Sequence, residues 1–149
     1  MSESFTLELE QIADYRFDVR FDNPAVPILR TDESAPLGAD TGPNPSRLLV
    51  TAIANCLSAS LIFAMRKFRN YPGPVRTSAT ATLARNENKR LRVTGVDVTL
   101  NIALPKEGVQ MLDRILTQFE DFCVVTQSVR AAIPVTVRVI DRDGLILKS

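Results

Sequence analysis

The segment between Asn44 and Tyr71 constrains this chain more than any other. Asn44-Pro45 reads as a helix N-cap followed by proline at the first helical position. Leu49, Ala52, Ile53, Cys56, Leu57, Ser60, Leu61 and Ala64 then recur at three- and four-residue spacing, and Tyr71-Pro72-Gly73-Pro74 supplies a stop. The pattern predicts a helix from Pro45 to about Arg69, roughly 36 Å long at 1.5 Å per residue. That is long for a chain of 149 residues. Small residues at Ala52, Ala54, Ala59 and Ala64 allow cover on more than one side, so a central helix is expected, one that a second subunit can share. Thr51, Asn55, Ser58 and Ser60 interrupt the apolar run, which reads as too polar for a membrane span.

Strands flank this helix. Phe5, Leu7 and Leu9 alternate with Thr6, Glu8 and Glu10, the period of a half-buried strand. After a turn near Ala13 and Asp14 the alternation resumes, with Phe17, Val19 and Phe21 on one face and Arg16, Asp18 and Arg20 on the other, making a hairpin. Residues 23–45 carry five prolines and two glycines and read as a loop with one short strand at 28–31. So long a loop in a compact domain usually has a task. Residues 75–86 and 90–104 form a second hairpin around Asn86-Glu87-Asn88. Pro105 opens a second helix with Val109, Leu112, Ile115, Leu116 and Phe119 as its buried stripe, and a third, shorter helix carries Cys123 and ends near Arg130. Strands at 134–140 and 145–148 close the chain around Asp141-Arg142-Asp143-Gly144. The order predicts a single α+β domain over residues 1–149, with antiparallel hairpins around a long central helix.

Charge narrows the function. A formal net charge of +1 gives no global case for nucleic acid or an anionic membrane as partner. The densest basic group, Arg85, Lys89, Arg90 and Arg92, reads as a solvated hairpin tip. The first ten residues carry acids and no apolar core, unlike a targeting peptide, which points to the cytoplasm. With no histidine, a His-based triad, general base or metal ligand is excluded. Two cysteines far apart in the chain make no Cys-x-x-Cys pair for zinc. Chemistry falls to cysteine, arginine, carboxylates or backbone.

Cys56 sits on the apolar stripe about three turns into the helix, where spacing alone favours a packed thiol. The helix dipole fades before reaching it, so a reactive Cys56 needs a cation brought from elsewhere, most simply an arginine. Cys123 follows Glu120 and Asp121. If Asp121 caps the third helix, the dipole favours a Cys123 thiolate while the two acids oppose it, and the two effects are of similar size. Two cysteines on separate helices suit peroxide reduction for a definite reason. A thiolate attacks the O–O bond and becomes a sulfenic acid, and a second thiol closes on that sulfur as a disulfide. Candidate arginines are Arg16, Arg20, Arg30 and Arg47. Arg16 has the strongest local case because it follows directly on the first hairpin turn.

Gly42-Pro43-Asn44-Pro45-Ser46-Arg47-Leu48-Leu49, followed by Ala52-Ile53-Ala54-Asn55-Cys56-Leu57, resembles the cysteine-bearing helix of the OsmC/Ohr family, the osmotically inducible and organic-hydroperoxide-resistance proteins. The second cysteine, element order and length also fit. The resemblance implies an OsmC-like fold, an intertwined homodimer with the long helices at its centre, Cys56 as peroxidatic thiolate, Cys123 as resolving thiol, and Arg16 as the arginine that stabilises the thiolate. It implies an organic hydroperoxide as substrate and a small dithiol or a lipoylated protein as reductant, with no cofactor. The family's typical glutamate ten residues before the first cysteine falls on Ser46, so a salt bridge to the arginine is missing or comes from another acid, with Asp40 and Glu33 as candidates. The family's histidine and proline around the second cysteine fall on Glu120 and Val124, which looks like a divergent branch. The competing expectation is a non-catalytic dimer that binds a hydrophobic ligand or a protein partner, its cysteines structural.

Overall fold

A computed structural model describes residues 2–149, which form two compact units, one up to Leu49 and one over Val50–Ser149. The first unit is a three-stranded antiparallel sheet in the order β1 (Leu7–Ala13), β2 (Arg16–Phe21), β3 (Leu29–Thr31). Asp14, at φ 38°, makes the tight β1–β2 turn. Leu9 pairs with Val19, and Asp18 pairs with Arg30 across β2 and β3. β1 is exposed along its whole length, so the half-buried strand expected from its alternation is not what forms. As an edge strand it has a partner on one side and no element packed over its apolar positions. On β2 the polar face is part-buried too, because Asp18 accepts a hydrogen bond from the Arg30 guanidinium at 3.0 Å.

α1 (Pro45–Lys67) opens at the end of this unit and runs into the second. Its start is fixed as expected: the Asn44 side chain accepts the Arg47 N–H at 2.9 Å. By length and composition α1 is apolar enough to cross a bilayer, so its polar interruptions do not carry the exclusion expected of them. A helix at the heart of a globular core meets the same criterion, and Ile53, Leu57, Leu61, Ala64 and Met65 are all buried.

In the second unit the strands run in the order β4 (Arg76–Arg85), β5 (Leu91–Asn101), β6 (Val135–Ile140), β7 (Ile146–Lys148). Register builds the core face in rows: Thr77, Leu100 and Val139; Ala79, Val98 and Val137; Ala81, Val96 and Val135. Ser58 of α1 hydrogen-bonds Thr77 at 2.6 Å, which seats the helix on β4. The pairs β4–β5 and β6–β7 are the expected hairpins, but β5 and β6 run parallel. The helical stretch between them carries the chain back before it rejoins the sheet, as a parallel crossover requires. At the β4–β5 tip the Asn86 side chain accepts the Asn88 and Arg90 N–H groups, and the Arg85 guanidinium caps the Lys89 carbonyl.

The crossover departs most from expectation. Instead of one helix from Pro105, a 3-10 turn (Lys106–Gly108) is followed by extended Val109, then Met111 at φ 58°, and only then by α2 (Leu112–Gln118). The cause lies 40 residues upstream in Asn70. Its side chain donates to the Gln110 carbonyl at 2.9 Å and accepts the Gln110 N–H at 2.7 Å, so neither group joins a helical ladder. The Lys106 N–H likewise goes to the buried Asp141 carboxylate at 2.9 Å. A second 3-10 turn (Phe119–Phe122) then leads into α3 (Val124–Val129).

Candidate functional site

Cys56 lies about three turns into α1 and is half-buried. It lines an open cavity of about 400 Å³ with Ala59, Ser60, Phe63 and Phe122. Ser60 and Phe63 follow Cys56 by four and seven residues, so the helical repeat lays the three on one face. Phe122 closes the other side, its ring edge-on to Phe63 with centroids 5.4 Å apart. The Lys67 ammonium stands 5.7 Å from the centre of the Phe122 ring, at the far end of the same helical face.

Cys123 is fully buried beside this cavity wall. Asp121 does not cap α3; Cys123 itself is the N-cap. Its sulfur accepts the Thr126 N–H at 3.4 Å and donates its S–H to the Thr126 hydroxyl at 3.0 Å. Burial pushes the Cys123 thiol above its ordinary range. The Thr126 hydroxyl pulls the other way, and the neighbouring Cys56 thiol pushes it up again. The two cysteines, far apart in sequence, are therefore close enough to act on one another's ionisation. Both are free thiols.

The acids before Cys123 do not oppose it as expected. The Glu120 carboxylate is held between Arg130 and Lys148, the latter at 3.1 Å, while its carbonyl accepts the Cys123 N–H at 3.0 Å. Two cations offset its charge, and Asp121 is exposed.

Arg16 belongs to the first unit, at the start of β2. Its Nε is buried, makes no hydrogen bond, and lies 3.7 Å from Asp32 Oδ2. The other arginines are committed at hydrogen-bond distance: Arg20 to Glu10 at 2.8 Å, Arg30 to Asp18 at 3.0 Å, and Arg47 to the Ser34 hydroxyl at 3.0 Å. The acid that meets Arg16 is thus Asp32, not Asp40 or Glu33. Asp40 instead accepts the Ala35 N–H at 3.1 Å.

Within the second unit the structure brings Cys56 and Cys123 together and adds Ser60, Phe63, Phe122 and Thr126, which sequence reasoning passed over. The helical spacing from Cys56 could have found Ser60 and Phe63. Thr126, three residues beyond Cys123, has the spacing of a capping partner. Among the described residues no group of three metal-ligating side chains comes together.

A family model described as OsmC-like protein matches residues 38–138. A search of curated proteins finds no match. Among solved structures, an OsmC-like protein of unknown function from Vibrio cholerae superposes with a TM-score of 0.77 at 17% identity, covering 94% of this chain and 100% of the other. An organic hydroperoxide resistance protein from Elizabethkingia anophelis gives 0.70 at 20% identity, covering 93% and 98%. The organic hydroperoxide resistance protein OhrB of Bacillus subtilis gives 0.67 at 16% identity, covering 92% and 98%. At such identities the likeness speaks for the fold.

Proposed function

The chain belongs to the OsmC-like protein family, and from that premise we propose that it is a thiol peroxidase for organic hydroperoxides, with Cys56 attacking and Cys123 resolving. One observation carries the reading. A half-buried thiol faces a largely apolar cavity, and a second, fully buried thiol is close enough to interact with it. Solved neighbours of this fold include proteins named for organic hydroperoxide resistance.

In the first step the Cys56 thiolate donates its electron pair to the outer peroxide oxygen. The O–O bond breaks, the alkoxide takes a proton and leaves as an alcohol, and Cys56 becomes a sulfenic acid. Cys123 then gives up its proton and attacks that sulfur. The S–OH bond breaks, water leaves, and a Cys56–Cys123 disulfide remains. A dithiol, free or carried as a lipoyl group, restores both thiols by exchange, as suits the reducing cytoplasm. Phe63 and Phe122 accommodate the organic tail. On this reading Arg16 is the cation that the family resemblance assigns to the Cys56 thiolate.

A homodimer completes this reading. Leu7, Leu9 and Ile12 on β1, and Phe63 on α1, are large apolar side chains left exposed, as surfaces awaiting a second copy would be.

Free-thiol titration before and after one equivalent of an alkyl hydroperoxide tests the proposal. Loss of both thiols, with one alcohol formed per chain, is expected; two thiols remaining refutes it. A second reading, a non-catalytic dimer that binds an apolar ligand, draws on the apolar cavity and on Ser46. It is favoured if Cys56→Ser leaves hydroperoxide consumption unchanged and native mass spectrometry finds an apolar molecule bound.

A further inference from the structure

Beside Cys56 the cavity is lined by Ala59, Ser60, Phe63 and Phe122, and of these side chains only that of Ser60 carries an O–H or N–H. Ser60 is 6% exposed, yet among the described residues no hydrogen bond engages its hydroxyl. Its oxygen is not sealed off as Arg16 Nε is, so the hydroxyl opens on the cavity. Other helical hydroxyls behave differently. Ser58, Thr117 and Ser128 each donate to the carbonyl four residues back, those of Ala54, Asp113 and Val124, at 2.7 Å. Ser58 also meets the Thr77 hydroxyl at 2.6 Å. A buried hydroxyl without a partner costs free energy that an alanine would not, and alanine is the better helix former. Packing alone does not call for a serine at this point of α1; a ligand in the cavity does.

Ser60 follows Cys56 by four residues, so their Cβ atoms stand roughly 5–6 Å apart on one helical face. A hydroperoxide carries two oxygens joined by a single bond. When the outer oxygen meets the Cys56 sulfur, the inner one comes within reach of a hydroxyl one turn along the helix. The chemistry asks for a donor at that inner oxygen. Negative charge leaves the thiolate and builds there as the O–O bond breaks, and an alkoxide is a strongly basic leaving group. The chain has no histidine to meet that charge, and the rings of Phe63 and Phe122 offer no donor.

We propose that Ser60 is a catalytic residue, the hydrogen-bond donor to the leaving oxygen of an alkyl hydroperoxide. This rests on the peroxidase reading and adds a proton path to it. The Cys56 sulfur gives its electron pair to the outer oxygen, the S–O bond forms, and the pair of the breaking O–O bond goes to the inner oxygen. The outer oxygen keeps its own proton as part of the sulfenic acid. Ser60 passes its proton to the inner oxygen, which leaves as an alcohol, and takes one back from water at the open mouth, releasing hydroxide. A peroxyacid expels a weakly basic carboxylate instead and has little need of this donor.

The test separates help to the leaving group from any effect on the thiol. In a full-length Cys123→Ser background, stopped flow follows the first oxidation of Cys56 by tert-butyl hydroperoxide and by peracetic acid. Alkylation of Cys56 by iodoacetamide is followed against pH in the same protein. Ser60→Ala, which suits both the helix and the space, is expected to slow the reaction with the alkyl hydroperoxide about tenfold, a modest loss because water in an open cavity replaces part of the donor. The rate with peracetic acid and the alkylation rate at each pH are expected to stay within about twofold. Equal slowing with both oxidants overturns the proposal, since a packing defect or a blocked approach does not sense the leaving group. An alkylation profile shifted in Ser60→Ala also overturns it, because the hydroxyl would then be serving the thiolate. If Ser60→Ala meets the alkyl hydroperoxide as fast as its parent, while one equivalent still oxidises both cysteines of the wild type, only the role of Ser60 falls. If that oxidation is missing, the peroxidase reading falls first and the role of Ser60 with it.

Discussion

Cys56 and Cys123 are neighbours that live under different physical rules. Cys56 rides mid-helix, half-buried, beside a largely apolar cavity, and its thiol interacts with that of Cys123. Cys123 joins the 3-10 turn Phe119–Phe122 to α3, is wholly buried, and is held by both the backbone and the side chain of Thr126. The half-buried thiol faces the cavity, and the wholly buried one is held by Thr126. Burial raises the Cys123 thiol, which under the proposed peroxidase reading suits it to resolve rather than to attack.

The sharpest way to break that contrast is to remove each sulfur in turn. Cys56→Ser is expected to lower hydroperoxide consumption at least about 10³-fold, since a hydroxyl does not replace a thiolate nucleophile. Cys123→Ser should keep the first turnover within about twofold and then stall, with Cys56 trapped as sulfenic or sulfinic acid by mass spectrometry. Equal losses in both, on the first turnover, would erase the distinction. Next in size, disulfide closure followed by stopped flow should accelerate as pH rises toward the raised Cys123 range. Thr126→Val removes the hydroxyl that supports the Cys123 thiolate, and it should slow closure about three- to tenfold at pH 7 without touching the first step. Smallest is Phe122→Ala, expected to raise KM for a bulky hydroperoxide about fivefold and to change that for a small one little.

The loop around Asp32 adds an acid-stability prediction. Its carboxyl is depressed in the folded chain from 3.8 to about 2, so its contribution to stability is present above pH 4 and is lost as pH falls through about 2. Asp32→Asn should flatten that part of the acid unfolding curve, which circular dichroism can follow.

Local chemistry was readable in advance. Asn44 caps α1 because its side chain needs only a backbone N–H three residues on, and the hairpins follow from period-two alternation broken by turn residues. The faces of β1 and β5 carry the same alternation, yet β5 buries Val96, Val98 and Leu100 while β1 stays exposed. Alternation states which side of a strand could be covered and is silent on whether anything covers it. The split of the expected second helix depended on Asn70, 40 residues from the Gln110 it clamps. The pairing of Arg16 with Asp32 likewise needed β2, β3 and the loop to be in place first.

The sequence by itself determined the long helix with Cys56 on it, the hairpin strand pairs and the absence of histidine chemistry, because each depends on residue type or on neighbours within a few positions. Only the tertiary structure decided that the two thiols are neighbours, that Cys123 is its own helix cap, and that Asp32 is the acid beside Arg16. Those are contacts between residues far apart along the chain, and a hydrogen bond or an ion pair depends on distances that no local pattern encodes.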